Sequence, residues 1–290
     1  MNAYAELVRA PAALSVVGDT VAGAAAANVP LRGRRRLLPL ASVAFYWAGM
    51  ALNDWADRDL DAVERPERPI PSGRVSARAA LSTGIALTGA GLALARIGGG
   101  ARAWRTSVPL AACLWAYDTR VKGTVLGPVG MAACRALDVL LGASGRERAA
   151  VAAAGALGVH TLGVTALSAG EVHGADRRVA GGALTATVTA VSVATTVPKR
   201  GGEGQAGGGP RRAATALFSA TYAASVGGAQ YAALRKPSAQ RVRAATGAGI
   251  HGMVPLQATI AARHGAVRAA TVLITALPLA RRLARKVSPT

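Results

Sequence analysis

Apolar stretches of close to twenty residues recur along this chain, each ended by arginine, proline or glycine. Few folds accept that pattern. About 20 mostly apolar residues cross the hydrocarbon core of a bilayer as a helix. Inside lipid, a spanning backbone must satisfy its own hydrogen bonds, which leaves helices or closed barrels. The runs lie at 10–28, 37–53, 77–97, 104–118, 124–143, 149–169, 179–197, 211–233, 242–262 and 266–283. Nine spans fit as well as ten, because 104–118 is short and the last two are interrupted. The residues inside the runs are mainly Ala, Val, Leu and Gly, and aromatics make up only 4% of the chain. Small residues let membrane helices approach closely. The expected fold is all-α, a polytopic membrane helical bundle forming a single domain over residues 1–290. The segment GGEGQAGGG at 201–209 is expected to be a loop and not a domain linker, because apolar runs flank it closely.

The chain carries 34 basic and 14 acidic residues, a net charge of +20. Nucleic-acid binding is excluded as a reading: there is no basic stripe interleaved with aromatics and no recognition motif. The arginines instead cluster between apolar runs, which suits a membrane boundary, an anionic substrate, or both. The basic residues divide almost evenly between the two sets of alternate loops, so charge bias does not set the orientation. Cys113 and Cys134 lie in apolar runs without metal-ligand spacing and read as small packing residues. The first apolar run lacks a convincing cleavage site and is expected to be retained.

Against this basic background, NDWADRDLDAVERPERPIPSG (53–73) concentrates Asp54, Asp57, Asp59, Asp61, Glu64 and Glu67. On a helix, Asp54, Asp57 and Asp61 fall within an arc of about 60°, with Asn53 at its edge and Asp59 pointing away. Three like charges at the end of a membrane span need compensation. A hard divalent cation such as Mg²⁺ supplies it, since it takes carboxylate oxygens and substrate phosphates together. Ion pairs with Arg58, Arg65 and Arg68 are the alternative. Pro66, Pro69, Pro71 and Gly73 make the following loop rigid and non-helical. Arg65 and Arg68 on that loop suit a diphosphate, because guanidinium donors match phosphate oxygens in pairs.

The same stretch resembles the first signature of the UbiA superfamily of intramembrane prenyltransferases, N-D-x-x-D-x-x-x-D followed by an Arg-Pro-rich loop. Asn53, Asp54, Asp57 and Asp61 match, as do Arg68, Pro69, Ser72 and Gly73. The resemblance implies about nine transmembrane helices around a central cavity open to the bilayer. It also implies Mg²⁺-dependent transfer of an isoprenyl group from its diphosphate to a small acceptor. A bacterial-type inner (cell) membrane is the expected location.

A second acidic motif of the family, close to D-x-x-x-D, has its counterpart in SAGEVHGADRR (168–178). It offers Glu171, His173 and Asp176. Glu171 and Asp176 would not share a face of a continuous helix, so Gly170 and Gly174 must break it for both to face a metal. The E-V-H-G form resembles the bacterial EboC-like subgroup. In YDTRVKG (117–123), the resemblance implies a basic residue on the diphosphate, Lys122 first and Arg120 second. Arg135 and Asp138 lie mid-run, spaced i, i+3, as an ion pair or as a wall of the acceptor pocket. Asp19 in the first run is a further candidate for orienting an acceptor hydroxyl. His160, His251 and His264 form no ligand spacing and read as packing or interfacial residues. The resemblance leaves the acceptor open among aromatic rings, quinone precursors, porphyrin-type carboxylates and sugar or cyclitol hydroxyls. CDP-alcohol phosphotransfer requires D-G-x-x-A-R, which is absent. A lipid or precursor carrier that kept the fold and lost full metal chemistry is the non-enzymatic alternative.

Overall fold

The computed structural model describes residues 2–196 and 208–287, and among these there is no strand. The expected 201–209 loop falls outside the described residues as far as position 207. In chain order the helices are α1 (Ala3–Leu7), α2 (Leu14–Ala26), α3 (Leu37–Ala56), α4 (Arg58–Glu64), α5 (Ala77–Ala116) and α6 (Gly127–Gly142). They continue with α7 (Glu147–Ser168), α8 (Arg177–Thr195), α9 (Gly208–Tyr222), α10 (Gly228–Arg235), α11 (Ala239–Arg263) and α12 (Val267–Val287). π-helical turns at Tyr117–Val121 and Ala223–Gly227 extend α5 and join α9 to α10. Each apolar run of the sequence therefore carries a helix.

The runs 77–97 and 104–118 share one helical stretch, but they do not form one rod. Gly100 sits at φ 69°, ψ −155°, a combination essentially reserved for glycine. The two halves of α5 fold back on each other there, and Trp115 Nε1 donates to Thr88 Oγ1 at 3.1 Å. Unbent, 40 residues of helix would reach about 60 Å, twice the hydrocarbon thickness.

The first half of α5 lies antiparallel on α3 in a seven-residue register. Gly84 faces Leu52, Gly91 faces Phe45, and Gly98 faces Leu38. A Cβ at Gly84 or Gly91 would come within 2.9 or 2.8 Å of those side chains, so the close approach depends on the missing methyls. This is small-residue packing of the membrane type. α2 packs against α3, α6, α7 and α11, which places it within the bundle. Ala-rich clusters fill the contacts, with Leu157, Tyr222, Leu256 and Ile260 in the largest.

Outward faces are apolar too: Ile85, Ile97, Val108, Val151 and Val188 are exposed. Among the described residues, two stretches, 77–121 and 147–168, are long and apolar enough to cross a membrane, and only 22% of the apolar window in the first is buried. An apolar helix with that much free surface is matched to lipid rather than to a protein core.

Because helices alternate in direction, their loops gather at two ends. The N-terminal segment, 57–76, 117–126, 169–176 and 236–238 share one end, where Ala175 N–H donates to Pro237 O at 3.1 Å. At the other end Arg35 donates to Gly142 O at 3.2 Å and Arg263 to Thr195 O at 3.1 Å.

Candidate active site

The acidic segment caps the first of these ends. α3 breaks at Asp57, where φ −90° and ψ 3° leave the helical region. Its hydrogen-bond ladder nevertheless continues, Asp57 N–H to Asn53 O and Asp61 N–H to Asp57 O. The i, i+4 spacing survives the break, so α4 carries Asp61 back beside Asp54. Asp54 and Asp61 are both buried, whereas Asp59 is exposed and pairs with Arg58 at 3.3 Å. The turns at 66–75 are non-helical, as the prolines require.

Cations of the chain meet these carboxylates. Arg68 Nη1 lies 2.5 Å from Asp61 Oδ2 and 3.5 Å from Asp54 Oδ1, bridging the two. Arg65 reaches Asp61 at 3.9 Å from an exposed position. Lys122 Nζ lies 2.7 Å from Asp57 Oδ1 and donates to Asn53 O at 3.4 Å. Ser72 Oγ donates to Arg68 O at 2.6 Å and so ties the loop beneath the guanidinium. Arg74 holds Glu6 of α1 at 2.6 and 3.1 Å, a bidentate pair that keeps its guanidinium above the ordinary range. That pair fastens the N-terminal segment to the loop.

Two members of the site were not among the residues singled out in the sequence. Arg9 lies 3.1 Å from Asp54 Oδ1, held there by a left-handed backbone at φ 47°. A non-glycine residue in that region is strained, and such strain gathers at functional sites. Asp118 is buried in the π-helical turn and accepts from Asn53 Nδ2 at 3.5 Å. Its one signal was its place in YDTRVKG, four residues before Lys122. Arg120, the second choice in that loop, stays exposed and makes no ion pair among the described residues.

The second acidic motif is at the same end, but its carboxylates are not drawn together. α7 already ends at Ser168, ahead of both glycines, and Gly174 at φ 89° turns the chain before α8. Asp176 is exposed and caps α8, accepting from Arg178 N–H at 2.7 Å. Glu171 is half-buried in the turn after α7, and His173 is exposed. Among the described residues, no hydrogen bond or ion pair joins these side chains to one another or to Asp54.

Deeper in the bundle, Arg135 pairs with Asp19 at 2.7 Å and not with its sequence neighbour Asp138. Gln257 Nε2 donates to Asp19 Oδ1 at 2.7 Å, and Ser42 Oγ donates to Asp138 Oδ2. His160 is a packing residue, bonded to Tyr222 Oη and Gly249 O. Cys113 and Cys134 are free and half-buried, with sulfurs 3.3 Å apart. A shallow hollow of about 490 Å³ at Gly145–Ala149 belongs to the opposite end and holds no part of this site.

Among the described residues, no three Asp, Glu, His or Cys groups stand close enough to hold a metal as arranged. The donor set is nevertheless all oxygen: Asp54, Asp57, Asp61, Asp118 and the Asn53 amide. Its present counter-charges are long side chains that reach in from the rim. That chemistry fits a hard, oxygen-seeking dication such as Mg²⁺.

The UbiA prenyltransferase family model matches residues 16–197, more than half of the chain. A digeranylgeranylglyceryl phosphate synthase of Methanopyrus kandleri is 38% identical over 135 residues, 43% of this chain and 46% of that protein. A protoheme IX farnesyltransferase of Paracoccus denitrificans is 57% identical over 44 residues, 14% of each chain. These alignments span less than half the length of the curated relatives. A solved structure of a digeranylgeranylglyceryl phosphate synthase covers 92% of this chain and 98% of its own, with a TM-score of 0.66 at 17% identity. A UbiA homologue from Archaeoglobus fulgidus bound to DMAPP and Mg²⁺ covers 66% of this chain and 76% of its own, with a TM-score of 0.55 at 19% identity. The helical fold, the acidic signature and the family match agree: this chain belongs to the UbiA prenyltransferase family, whose members are integral membrane proteins.

Proposed function

We propose that this protein transfers an isoprenyl group from an isoprenyl diphosphate to a small acceptor within a membrane, with Mg²⁺ as cofactor. The observation that carries the reading is the layer of Asp54, Asp57, Asp61 and Asp118 interleaved with Arg9, Arg68 and Lys122 at one bundle end. Asn53, Asp54, Asp57 and Asp61 would hold the metal, with Glu171 and Asp176 as the further candidates of the second motif. When bound, the metal neutralises charge on the diphosphate as it leaves.

The chain's own cations do the rest. Arg68, Arg65 and Lys122 stand where diphosphate oxygens would meet them, and Arg9 joins them. On entry of a dication and diphosphate, these side chains exchange a carboxylate partner for a phosphate one. Fixed positive groups then stabilise the charge that develops on the leaving oxygens. The apolar bundle below keeps water from the allylic cation. The acceptor pocket is assigned to Asp19, Arg135 and Asp138. A bacterial-type inner membrane is the proposed location, on the likeness of the second motif to the EboC-like subgroup.

Asp54→Ala tests the reading. The purified variant should stay folded and lose Mg²⁺-dependent release of diphosphate from geranyl diphosphate; near-full turnover would overturn the assignment. The carrier reading has one observation in its favour, the use of Asp176 as an exposed helix cap. It requires that no isoprenyl diphosphate be cleaved by the wild-type protein.

A further inference from the structure

At the end of the bundle opposite the acidic layer, charge is almost all of one sign. Arg32, Arg34, Arg35 and Arg36 precede α3, Arg102 follows the reversal at Gly100, and Arg146 and Arg148 flank the start of α7. Among the described residues, Glu147 is the one acidic residue in the loops and terminal turns there. Its Oε1 is turned back to accept from Gly145 N–H at 2.6 Å.

Three of these arginines converge on the hollow of about 490 Å³ at Gly145–Ala149. Arg146 and Arg148 line it. Arg102 lies across Gly145: a Cβ there would come within 2.9 Å of Arg102 Cδ and 3.1 Å of its Nη1, so the bare glycine makes room for the guanidinium. Arg35 pins the chain that leads into the hollow, donating to Gly142 O at 3.2 Å and Ser144 O at 3.4 Å. Arg102, Arg146 and Arg148 are exposed, and among the described residues their side chains make no hydrogen bond or ion pair. Like charges around one opening repel each other, and an anion placed between them relieves that repulsion.

The surface beneath the hollow is apolar and open. Arg148, Val151, Ala152 and Gly155 follow one face of α7, and all four are exposed. A Cβ at Gly155 would meet nothing within 4 Å. That face runs from the cations into the membrane-spanning part of α7 as an unfilled track. Trp104, exposed within a turn of Arg102 on α5, suits the headgroup depth at which tryptophans gather. A free phosphate would engage the cations alone, whereas a phospholipid engages cations and track together. Guanidinium donors match phosphate oxygens in pairs. A zwitterionic headgroup would bring a second cation to a rim that is already basic, so the complementary lipid is an anionic one.

We propose that the hollow at Gly145–Ala149 binds the headgroup of an anionic phospholipid, held by Arg102, Arg146 and Arg148, with an acyl chain along Val151 and Gly155. The acidic layer lies at the other end of the bundle, and the inference does not depend on the transfer reading.

The test uses the full chain, delipidated in non-ionic detergent. Native mass spectrometry then gives its affinity for phosphatidylglycerol and for phosphatidylcholine with the same acyl chains. An arginine beside an anionic lipid surface contributes about five-fold in affinity. The wild type should therefore prefer phosphatidylglycerol by ten-fold or more. The triple variant Arg102→Gln, Arg146→Gln, Arg148→Gln should lower that preference by at least five-fold. Should it fail to fold, the single variant Arg148→Glu should lower the preference by at least three-fold. A control with the same loss of charge at the other end, Arg78→Gln, Arg178→Gln, Arg243→Gln, should keep the preference. Equal affinity for the two lipids in the wild type overturns the proposal. So does an unchanged preference in a folded variant of the hollow, and so does an equal loss in the control. Inorganic phosphate in hundred-fold excess should leave phosphatidylglycerol bound; its displacement would make the hollow a phosphate site and overturn the lipid as occupant.

Discussion

Arg68→Met removes the charge that Asp54 and Asp61 share while keeping most of the side chain's bulk. The side chain of Asp61 is 3% accessible and that of Asp54 5% accessible. Breaking a buried pair by deleting one partner costs about 3–5 kcal/mol, because it leaves a charge uncompensated. Two contacts soften the loss. Asp54 keeps Arg9 at 3.1 Å, and Asp61 keeps Arg65, which at 3.9 Å and half exposed gives little. A loss of about 2–3 kcal/mol is therefore expected, a fall in Tm of roughly 5 °C for a chain of this size.

The sign of the metal effect makes the test sharp. A dication at 100 times its Kd stabilises the folded state by about 2.7 kcal/mol. In the wild type that gain is offset by displacing Arg68 from its carboxylates; in the variant that part of the offset is gone, and only Arg9, Arg65 and Lys122 remain to be displaced. Thermal unfolding of detergent-purified protein in EDTA should show the full gap, and saturating Mg²⁺ should close at least half of it. The KM for isoprenyl diphosphate should still rise, since the arginine is lost from the anion. A variant as stable as wild type in EDTA, or a gap that Mg²⁺ leaves unchanged, would refute this account of the charges.

Asp118→Asn should lower kcat/KM for the isoprenyl diphosphate by ten-fold or more in steady-state assays with little change in Tm, because the amide still fits beside Asn53 but brings no charge. Gly100→Val should cost about 1–3 kcal/mol by forcing a branched residue into a glycine-only backbone region, read as lost yield of folded protein and a lower Tm. At Asp176, Asn preserves a helix cap and Ala does not. If Asp176 faces metal, Asn and Ala variants lose turnover alike; if it only caps α8, Ala lowers Tm and Asn changes neither Tm nor rate.

Helix positions were legible because each apolar run is long and its ends are marked by charge, Pro or Gly. The merger of 77–97 with 104–118 was not, since a reversal at one glycine depends on a backbone angle that hydropathy does not encode. The face of Asp54, Asp57 and Asp61 followed from spacing, and the helical ladder through Asp57 preserves it. Arg9 and Asp118 arrive from other segments, 45 residues before Asp54 in one case and 65 residues after Asn53 in the other. No local pattern announces such a meeting. The same limit explains Arg135: its near neighbour Asp138 looked like its partner, yet α2 brings Asp19 closer from 116 residues away. Local spacing failed again at the second motif, where a free backbone N–H at the start of α8 takes the Asp176 carboxylate.

The reversal at Gly100 returns Asp118 and Lys122 to the end of the bundle where Asp54 lies, and every cation that meets the acidic segment is at that end. On the proposed function, the chemistry would thereby be one-sided. Diphosphate would be drawn from, and given back to, a single compartment, and a molecule inserted upside down would be intact but silent toward donor supplied from that compartment. Sealed vesicles holding one orientation would express all of their activity toward donor added on one face and none toward donor confined to the other.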